Sequence, residues 1–310
     1  MAELLFQREV YGKTLVELGK THSNIVVLDA DLSGSTKTRL FCKAYPDRFF
    51  NFGVAEQNMM STAAGLASCG KVVFASTFAM FATGRAWDQV RNSVCYNNFN
   101  VKIVASHAGI TVGEDGASHQ AIEDISLMRS IPNLKIIVPC DGPETREAVI
   151  AAFQTPGPFY IRLGRSKIET IEGKSAFKLG KAYAVREGKD VSIFACGIML
   201  HAAIKAHEIL KKEGIYARVI NVPTIRPLDK DTIISCAKQT KGVVVCEEHS
   251  VIGGLASAID EVICENAPVK TVRVGVKNRF GQSGSPADLL KEYNLTDLDI
   301  VAAVKRVLSK

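Results

Sequence analysis

Short apolar segments recur along the chain, and each is followed by a turn and a longer amphipathic stretch. In the first half these segments read NIVVLDAD, KVVFAST, VKIVASHAG, LKIIVPCD and PFYIRLG. Runs of this length, rich in β-branched residues, predict strands that alternate with helices. We therefore expect an α/β fold in which largely parallel sheets are flanked by helices.

The same pattern begins again after a charged, glycine-containing stretch at residues 168–181. Beyond it follow the segments VSIFACG, ARVINVP, GVVVCEE and VKTVRVG. A length of 310 residues fits two domains of ordinary size. We expect two α/β domains, at residues 1–170 and 181–310.

Three polar loops follow predicted strands and are the places where chemistry is expected. Ligands of open parallel sheets bind beyond the carboxyl ends of the strands, because the connecting loops gather there. The loops read DADLSGS (29–35), SHAGITVGEDGASHQ (106–120) and RLGRS (162–166). A glycine-rich loop as long as the second one is usually functional or mobile inside a compact domain.

Composition narrows the class of protein. Hydrophobic residues make up 47% of the chain and charged residues 23%, which excludes a disordered tail, a collagen-like repeat and a coiled coil. The net charge of +6 comes from scattered basic residues. This small excess fits anionic small molecules at least as well as nucleic acid, and we expect no nucleic-acid partner.

The eight cysteines form no CxxC pair and no cysteine–histidine pattern with the spacing of a zinc site. They predict reduced, buried thiols rather than disulfides or a zinc site. The start of the chain, MAELLFQREVYGKTL, carries charges inside its apolar stretch, and the apolar run at 72–84 is too short to span a bilayer. We expect a soluble, cytoplasmic protein without a membrane partner.

Two groups of side chains stand out in the first half. The segment NFGVAEQNM places Glu56 at the start of a helix predicted over residues 55–67. Taken alone, Glu56 fits a first-turn glutamate that meets the positive end of the helix dipole. Phe78 and Phe81 lie three residues apart, which on a helix places both rings on one face, as ordinary core packing also does.

The glycine-rich loop carries His107, Asp115 and His119. Their spacing matches no zinc pattern, and a solvated turn accounts for them equally well. The histidines can donate to hydroxyl, carbonyl or phosphate oxygens, and the aspartate can accept from a hydroxyl.

The order of four motifs supports a more specific interpretation. They are DADLSGS, NFGVAEQNM, STFAMF (76–81) and HAGITVGEDGASHQ. With these motifs the chain resembles, over nearly its whole length, the pyrimidine-binding and C-terminal parts of transketolase, an enzyme that uses thiamine diphosphate. The resemblance implies a pyrimidine-type thiamine diphosphate-binding fold followed by a transketolase C-terminal-like domain.

The resemblance implies cofactor contacts for Glu56, Phe78, Phe81 and Asp31. The glutamate would hydrogen-bond N1′ of the aminopyrimidine, so that the 4′-amino group can act as a base toward the C2 proton of the thiazolium ring. A carboxyl group in a dry pocket suits that proton sharing. The two phenylalanines would stack on and surround the ring, and Asp31 would lie near it. Gly84 stands where transketolases often have a third aromatic residue.

The resemblance also implies substrate contacts. His107 and His119, which with Glu56 form the expected catalytic set, would contact the hydroxyls and carbonyl of a sugar or its phosphate, and Asp115 would fix a hydroxyl. The loop departs from the family at Ala108, where an aspartate is usual, and Ala-Gly after the first histidine resembles 1-deoxyxylulose-5-phosphate synthase instead.

Arg8, Ser35 and Arg162 match family positions that bind the terminal phosphate of the acceptor sugar. A planar guanidinium can grip a phosphate with two parallel hydrogen bonds, and a hydroxyl adds a third. Arg165 lies nearby and also fits a solvated turn.

One family feature is missing. Transketolases hold the cofactor diphosphate through a divalent metal, bound by a GDG motif and a downstream asparagine, and this chain has no GDG. We expect no metal ligands here and predict a second polypeptide, an N-terminal subunit that carries the diphosphate-binding domain and the Mg²⁺ ligands. Two copies of each chain would form a heterotetramer, with self-association through apolar helices.

The resulting hypothesis is the C-terminal subunit of a split transketolase of the pentose phosphate pathway. It would transfer a two-carbon ketol unit from a ketose phosphate to an aldose phosphate, and we assign no catalysis to residues 181–310. The alternatives are the β subunit of a 2-oxo acid dehydrogenase E1 component, a 1-deoxyxylulose-5-phosphate synthase-like enzyme, and a noncatalytic module that kept the fold. The E1 subunit would not need the phosphate-binding set of Arg8, Ser35 and Arg162 or the loop GEDGASHQ.

Overall fold

The strands of the computed structural model, which describes residues 3–309, form three sheets. The strands are β1 (Leu4–Phe6), β2 (Ile25–Asp29), β3 (Phe49–Asn51), β4 (Val72–Phe78), β5 (Val101–Ser106), β6 (Lys135–Ile137), β7 (Phe159–Arg162), β8 (Lys167–Glu169), β9 (Tyr183–Arg186), β10 (Val191–Ala195), β11 (Ala217–Asn221), β12 (Thr224–Arg226), β13 (Val243–Ser250) and β14 (Thr271–Val276).

Helices cover the two larger sheets. They are α1 (Gln7–Thr21), α2 (Ser33–Thr36), α3 (Arg39–Ala44), α4 (Glu56–Ser68), α5 (Trp87–Gln89), α6 (Asp124–Arg129), α7 (Gly142–Gln154), α8 (Met199–Lys212), α9 (Lys230–Gln239), α10 (Leu255–Asn266), α11 (Pro286–Glu292) and α12 (Asp297–Leu308). Turns of 3₁₀ and π-helix connect some of them, including a π-helical turn at Phe81–Arg85.

The larger sheet has seven strands in the order β12-β6-β7-β5-β4-β2-β3. Every neighbouring pair in it is parallel except β12 with β6. The second sheet has the order β14-β13-β10-β11-β9, and only β9 runs antiparallel to its neighbour. The predicted α/β class with largely parallel sheets is confirmed.

Each apolar segment that predicted a strand contains one, because long β-branched runs are buried on both faces in parallel sheets. The sequence pattern missed β1, β3, β8, β9 and β12, which are only three or four residues long. One of these, β12, lies in the second half of the chain yet joins the sheet of the first half. The two halves therefore share a sheet edge.

A buried polar cluster also joins the halves. The Glu144 carboxylate accepts hydrogen bonds from the Tyr183 hydroxyl at 2.7 Å, the Asn221 amide at 2.8 Å and the Cys140 N–H at 2.7 Å. The nearby Asp141 side chain caps α7 by accepting from the Glu144 N–H at 2.9 Å. Such a cluster fixes the two halves against each other only while every member keeps its partner.

Helix α4 begins at Glu56, one residue later than predicted, and packs Met59, Met60, Ala63 and Ala64 against the larger sheet. Burial of each methionine stabilises the fold by about 1.5–3 kcal/mol. This packing fixes the position of Glu56 at the helix start.

All eight cysteines are free, but Cys69 and Cys264 are exposed. The expectation of buried thiols is wrong for these two, because Cys69 follows the last turn of α4 and Cys264 lies on the outer side of α10. Within residues 3–309, no helix combines the length and the hydrophobicity that a bilayer crossing needs.

Lys102 is fully buried in β5, where its ammonium group donates to the carbonyls of Thr155 and Gly157, each at 2.8 Å. Burial lowers the pKa of Lys102 from 10.5 to about 7, and the charge of Lys135 adds to the effect. Between these values the unfolded chain holds a proton that the folded chain lacks, so the free energy of unfolding rises with pH.

We expect urea unfolding of the wild type to show this rise between pH 7 and pH 9. Lys102→Met removes the titrating group and should weaken the pH dependence, whatever it does to stability at pH 7. Parallel pH profiles for the two proteins would contradict the assignment.

Candidate active site

The carboxyl ends of three neighbouring strands form the floor of the site. Strands β2, β4 and β5 are adjacent and parallel, with Asp29 beside Ser76 and Phe78 beside Ser106. The loops that follow these strands must therefore leave the sheet side by side, at the edge where ligands of open α/β sheets bind. Their residues include most of the side chains that the sequence singled out.

Phe78 and Phe81 form a stacked pair with ring centroids 6.0 Å apart and an interplanar angle of 19°. The two residues do not share a helix, since Phe78 ends β4 and Phe81 begins the π-helical turn. Their rings meet because the chain turns from strand into helix between them. The His107 ring stacks on Phe78 at 3.8 Å, and the His119 ring lies edge-on to Phe81 at 5.5 Å.

Glu56 lies at the edge of this aromatic cluster, and its side chain is only 1% exposed. Nη1 of Arg85 donates to both carboxylate oxygens, at 3.1 and 3.0 Å. The same guanidinium lies over the Phe81 ring, 4.7 Å from its centroid. The sequence analysis did not identify Arg85. No motif contains it, and its partner Glu56 lies 29 residues earlier in the chain.

His107 is buried and has a left-handed backbone, with φ at 60°. This conformation is strained for a residue with a side chain, and such strain is concentrated at functional sites. Nδ1 shares a hydrogen bond of 2.9 Å with the Ser106 hydroxyl. Burial, followed by the charges of Arg8 and Arg165, lowers the pKa of His107 to about 3, so its ring is neutral at physiological pH.

Arg8 and Arg165 bring two positive charges close to His107. Nη1 of Arg8 donates to the carbonyl of Ser35 at 3.0 Å, while its buried Nε has no partner among residues 3–309. Arg165 donates to the Glu114 carboxylate at 2.7 Å and to the carbonyl of Val112. Burial lowers the pKa of Arg8, and the neighbouring charge of Arg165 adds to the effect. An anion between the two guanidinium groups would relieve this repulsion.

Arg162 does not take part in this cationic site, and the expectation that it binds phosphate does not fit its surroundings. It is 6% exposed, and Nε donates to Asp124 at 2.7 Å while Nη2 donates to the carbonyl of Glu248 at 2.9 Å. The reason is its position as the last residue of β7, a strand buried on both faces. Arg165, three residues further on, has left the strand and reaches the site.

The remaining predicted residues lie at the surface. Asp31 is exposed, and its Oδ1 accepts from the Asn51 amide at 3.2 Å. Asp115 is exposed in the loop beside Gly116. Ser35 is partly buried, and its carbonyl oxygen accepts the hydrogen bond from Arg8.

The second half of the chain contacts the loop at residues 106–120, called the histidine loop because it carries His107 and His119. The buried carboxylate of Glu248 accepts from the Thr111 N–H at 2.7 Å, and burial raises the pKa of Glu248. The Gln120 amide donates to the carbonyl of Gln282 at 2.9 Å. No motif in the sequence indicated Glu248, because the partner of a buried carboxylate is set by tertiary contacts.

The part of the chain that the structure describes contains no group of three or more His, Cys, Asp or Glu side chains placed to hold a metal ion. What the site offers is an enclosed carboxylate paired with the Arg85 guanidinium, a stacked aromatic pair, a neutral imidazole and the two further guanidinium groups of Arg8 and Arg165. These groups can recognise a flat, proton-donating heterocycle next to an anionic, hydroxylated ligand.

Family models match almost the whole chain: transketolase, pyrimidine binding domain over residues 6–170, and transketolase, C-terminal domain over residues 180–300. The protein belongs to the transketolase family.

The relatives show which part of a transketolase it is. It is 49% identical to a protein of Methanocaldococcus jannaschii described as a transketolase C-terminal section, with 98% of this chain and 96% of the relative covered. It is 40% identical to transketolase of Rattus norvegicus, but there it covers only 49% of the relative. The chain thus corresponds to the C-terminal half of a full-length transketolase.

A solved structure named "Split gene transketolase, inactive beta4 tetramer" has the same fold. Its TM-score is 0.90 at 52% sequence identity, and 98% of each chain is covered. The family and these relatives are all transketolases, so the 2-oxo acid dehydrogenase, the 1-deoxyxylulose-5-phosphate synthase-like enzyme and the noncatalytic module are not favoured.

The ion pair of Arg162 with Asp124 leads to a test of stability. We expect Arg162→Leu to lower the free energy of unfolding by about 3–5 kcal/mol, because it leaves a buried carboxylate without its cation. Urea denaturation measures the loss. The matched control Arg165→Leu, at a partly exposed position, should change stability by less than about 1 kcal/mol. Equal stability of wild type and Arg162→Leu would contradict this account of Arg162.

Proposed function

We propose that this chain is the C-terminal subunit of a split transketolase and that it is active with an N-terminal subunit. Together they transfer a two-carbon ketol unit from a ketose phosphate to an aldose phosphate. The observation that carries the proposal is the enclosed Glu56 carboxylate beside the stacked pair of Phe78 and Phe81, in a chain that corresponds to half a transketolase.

The family depends on thiamine diphosphate, and the residues present fit its aminopyrimidine half. When bound, the cofactor supplies the carbon nucleophile and the electron sink for cleaving a bond next to a carbonyl. Glu56 holds a proton at N1′ of the ring, since an enclosed carboxylate has no water to compete for that hydrogen bond. Phe78 and Phe81 supply the apolar faces that a planar ring needs.

His107 and His119 contact the oxygens of the sugar beside the ring. The ring of His107 is neutral, so one of its nitrogens donates and the other accepts. Since Nδ1 bonds the Ser106 hydroxyl, the tautomer decides whether Nε2 donates to a substrate oxygen or accepts from it. Asp115 accepts from a sugar hydroxyl at the loop surface. Asp31 lies near the cofactor in this proposal. Together these contacts select the stereochemistry of the substrate.

Arg8 and Arg165 bind the terminal phosphate, with Ser35 beside them. Nε of Arg8 is a buried donor without a partner in the described part of the chain, and an oxyanion would satisfy it. Arg165 takes the role that the sequence resemblance gave to Arg162.

The diphosphate and its Mg²⁺ are held by the partner subunit in this proposal. Support comes from the sequence, which has no GDG motif, and from the related structure, whose tetramer of a single chain type is called inactive. That tetramer also supports self-association, so a heterotetramer of two chains of each kind is the assembly we propose. We propose the pentose phosphate pathway as its place in metabolism, because that pathway interconverts ketose and aldose phosphates, and the cytoplasm as its location.

The direct test mixes this chain with the chain that carries GDG and a downstream asparagine, adding thiamine diphosphate, Mg²⁺, xylulose 5-phosphate and ribose 5-phosphate. We expect sedoheptulose 7-phosphate and glyceraldehyde 3-phosphate from the mixture and almost none from either chain alone. Full activity of this chain alone would contradict the split enzyme, and an inactive mixture would contradict transketolase function.

In the same mixture Glu56→Gln should abolish both turnover and exchange of the C2 proton, while the fold and the assembly persist. The amide cannot share a proton with N1′ as a carboxylate does. Exchange at the wild-type rate would show that Glu56 has another role.

The proposed contact between Arg165 and the phosphate is tested separately. Arg165→Met should lower kcat/KM for ribose 5-phosphate by about 10–100-fold, the loss expected for one charge-assisted hydrogen bond. The value for glycolaldehyde, an acceptor without phosphate, should stay within about twofold. An equal loss for both acceptors would mean that Arg165 supports the loop rather than the phosphate.

A further inference from the structure

The Arg85 side chain already makes two contacts at the proposed ring site. One nitrogen donates to both oxygens of Glu56, and the guanidinium covers a face of Phe81. The acceptor and one aromatic surface of the site are therefore in use before any ligand binds.

These contacts match the chemistry of a protonated aminopyrimidine. Such a ring is flat, carries a delocalised positive charge and presents an N–H in its plane. A guanidinium group has the same three properties, which is why arginine both pairs with carboxylates and stacks on aromatic rings. Lysine, with a compact ammonium group, could satisfy Glu56 but could not cover Phe81 in the same way.

We propose that Arg85 is a built-in stand-in for the cofactor's aminopyrimidine ring. In the free subunit it neutralises Glu56 and fills the space over Phe81, and the ring displaces its side chain when the cofactor binds. This inference rests on the proposed function, because it takes Glu56 as the partner of the ring.

The displacement is electrostatically balanced. A buried carboxylate that loses its only cation is strongly unfavourable, so a site that emptied Glu56 before binding would be unstable. Exchange of one planar cation for another keeps the carboxylate paired throughout. Arg85 can move because its side chain is 48% exposed, whereas that of Glu56 is 1% exposed.

The backbone around Arg85 suits such a movement. Arg85 ends the π-helical turn of Phe81–Arg85, and single π-turns occur often at functional sites. Its carbonyl accepts a hydrogen bond of 3.2 Å from the Gln57 side chain, which ties the main chain to α4. The side chain can therefore leave while the backbone stays in place.

The consequence is a binding penalty. A ligand that must displace a side chain binds more weakly in proportion to how seldom the site is open. Removal of Arg85 should therefore strengthen binding of the ring, whereas removal of a residue that supports the ring would weaken it. The sign of the change separates the two roles.

The experiment measures thiamine binding to the full chain by calorimetry, since thiamine carries the ring without the diphosphate. We expect Arg85→Met to bind thiamine about tenfold more tightly than the wild type, and Arg85→Lys to show a smaller gain. Arg91→Met is the matched control, because Arg91 is an exposed arginine in the next π-helical turn, and it should bind like the wild type. Equal or weaker binding by folded Arg85→Met overturns the proposal.

Two further measurements keep the outcome decisive. If Arg85→Met does not fold, Arg85→Gln replaces it, with a neutral amide that can still donate to Glu56, and it should bind thiamine several times more tightly than the wild type. If the chain alone gives no heat, thiamine diphosphate is titrated into the two-chain complex, where the same order of affinities is expected. If the complex is active but its affinity for thiamine diphosphate is the same with and without Arg85, only this inference is overturned. If the complex is inactive with the wild type and every variant, the proposed function is overturned.

Discussion

The charge of one enclosed carboxylate constrains the whole site. Glu56 begins α4, where unpaired N–H groups and the helix dipole favour an anion, yet the side chain is almost completely buried. A carboxylate in that position needs a cation beside it at every stage. Arg85 supplies the cation in this chain, and its guanidinium also lies over the Phe81 ring.

The rest of the fold brings ligand-binding groups to that carboxylate. Because β2, β4 and β5 are parallel neighbours, the loops that follow them leave the same edge of the sheet and lie next to one another. The histidine loop is then held from the other half of the chain, where the Glu248 carboxylate accepts from the Thr111 N–H. The C-terminal half thus positions the site, a contribution that its sequence did not indicate.

Sequence patterns predicted the long buried strands and the helix start at Glu56, because burial on both faces leaves a continuous apolar run. They failed where tertiary contacts decide. Arg162 and Arg165 look alike in RLGRS, but only the position where β7 ends separates a buried ion pair from a residue of the site. Arg85 could not be recognised either, since its significance lies in the burial of Glu56, 29 residues earlier.

The contacts also order the site from one end to the other. Arg165 and Arg8 lie near His107, His107 stacks on Phe78, and the aromatic pair leads to Arg85 and Glu56. Because His107 is neutral and Glu56 pairs with Arg85, the net positive charge of the site lies at the end formed by Arg8 and Arg165. A substrate with one anionic end would bind with that end at Arg8 and Arg165, which directs its other end toward the aromatic pair. Charge distribution alone therefore orients a ligand that has one anionic end.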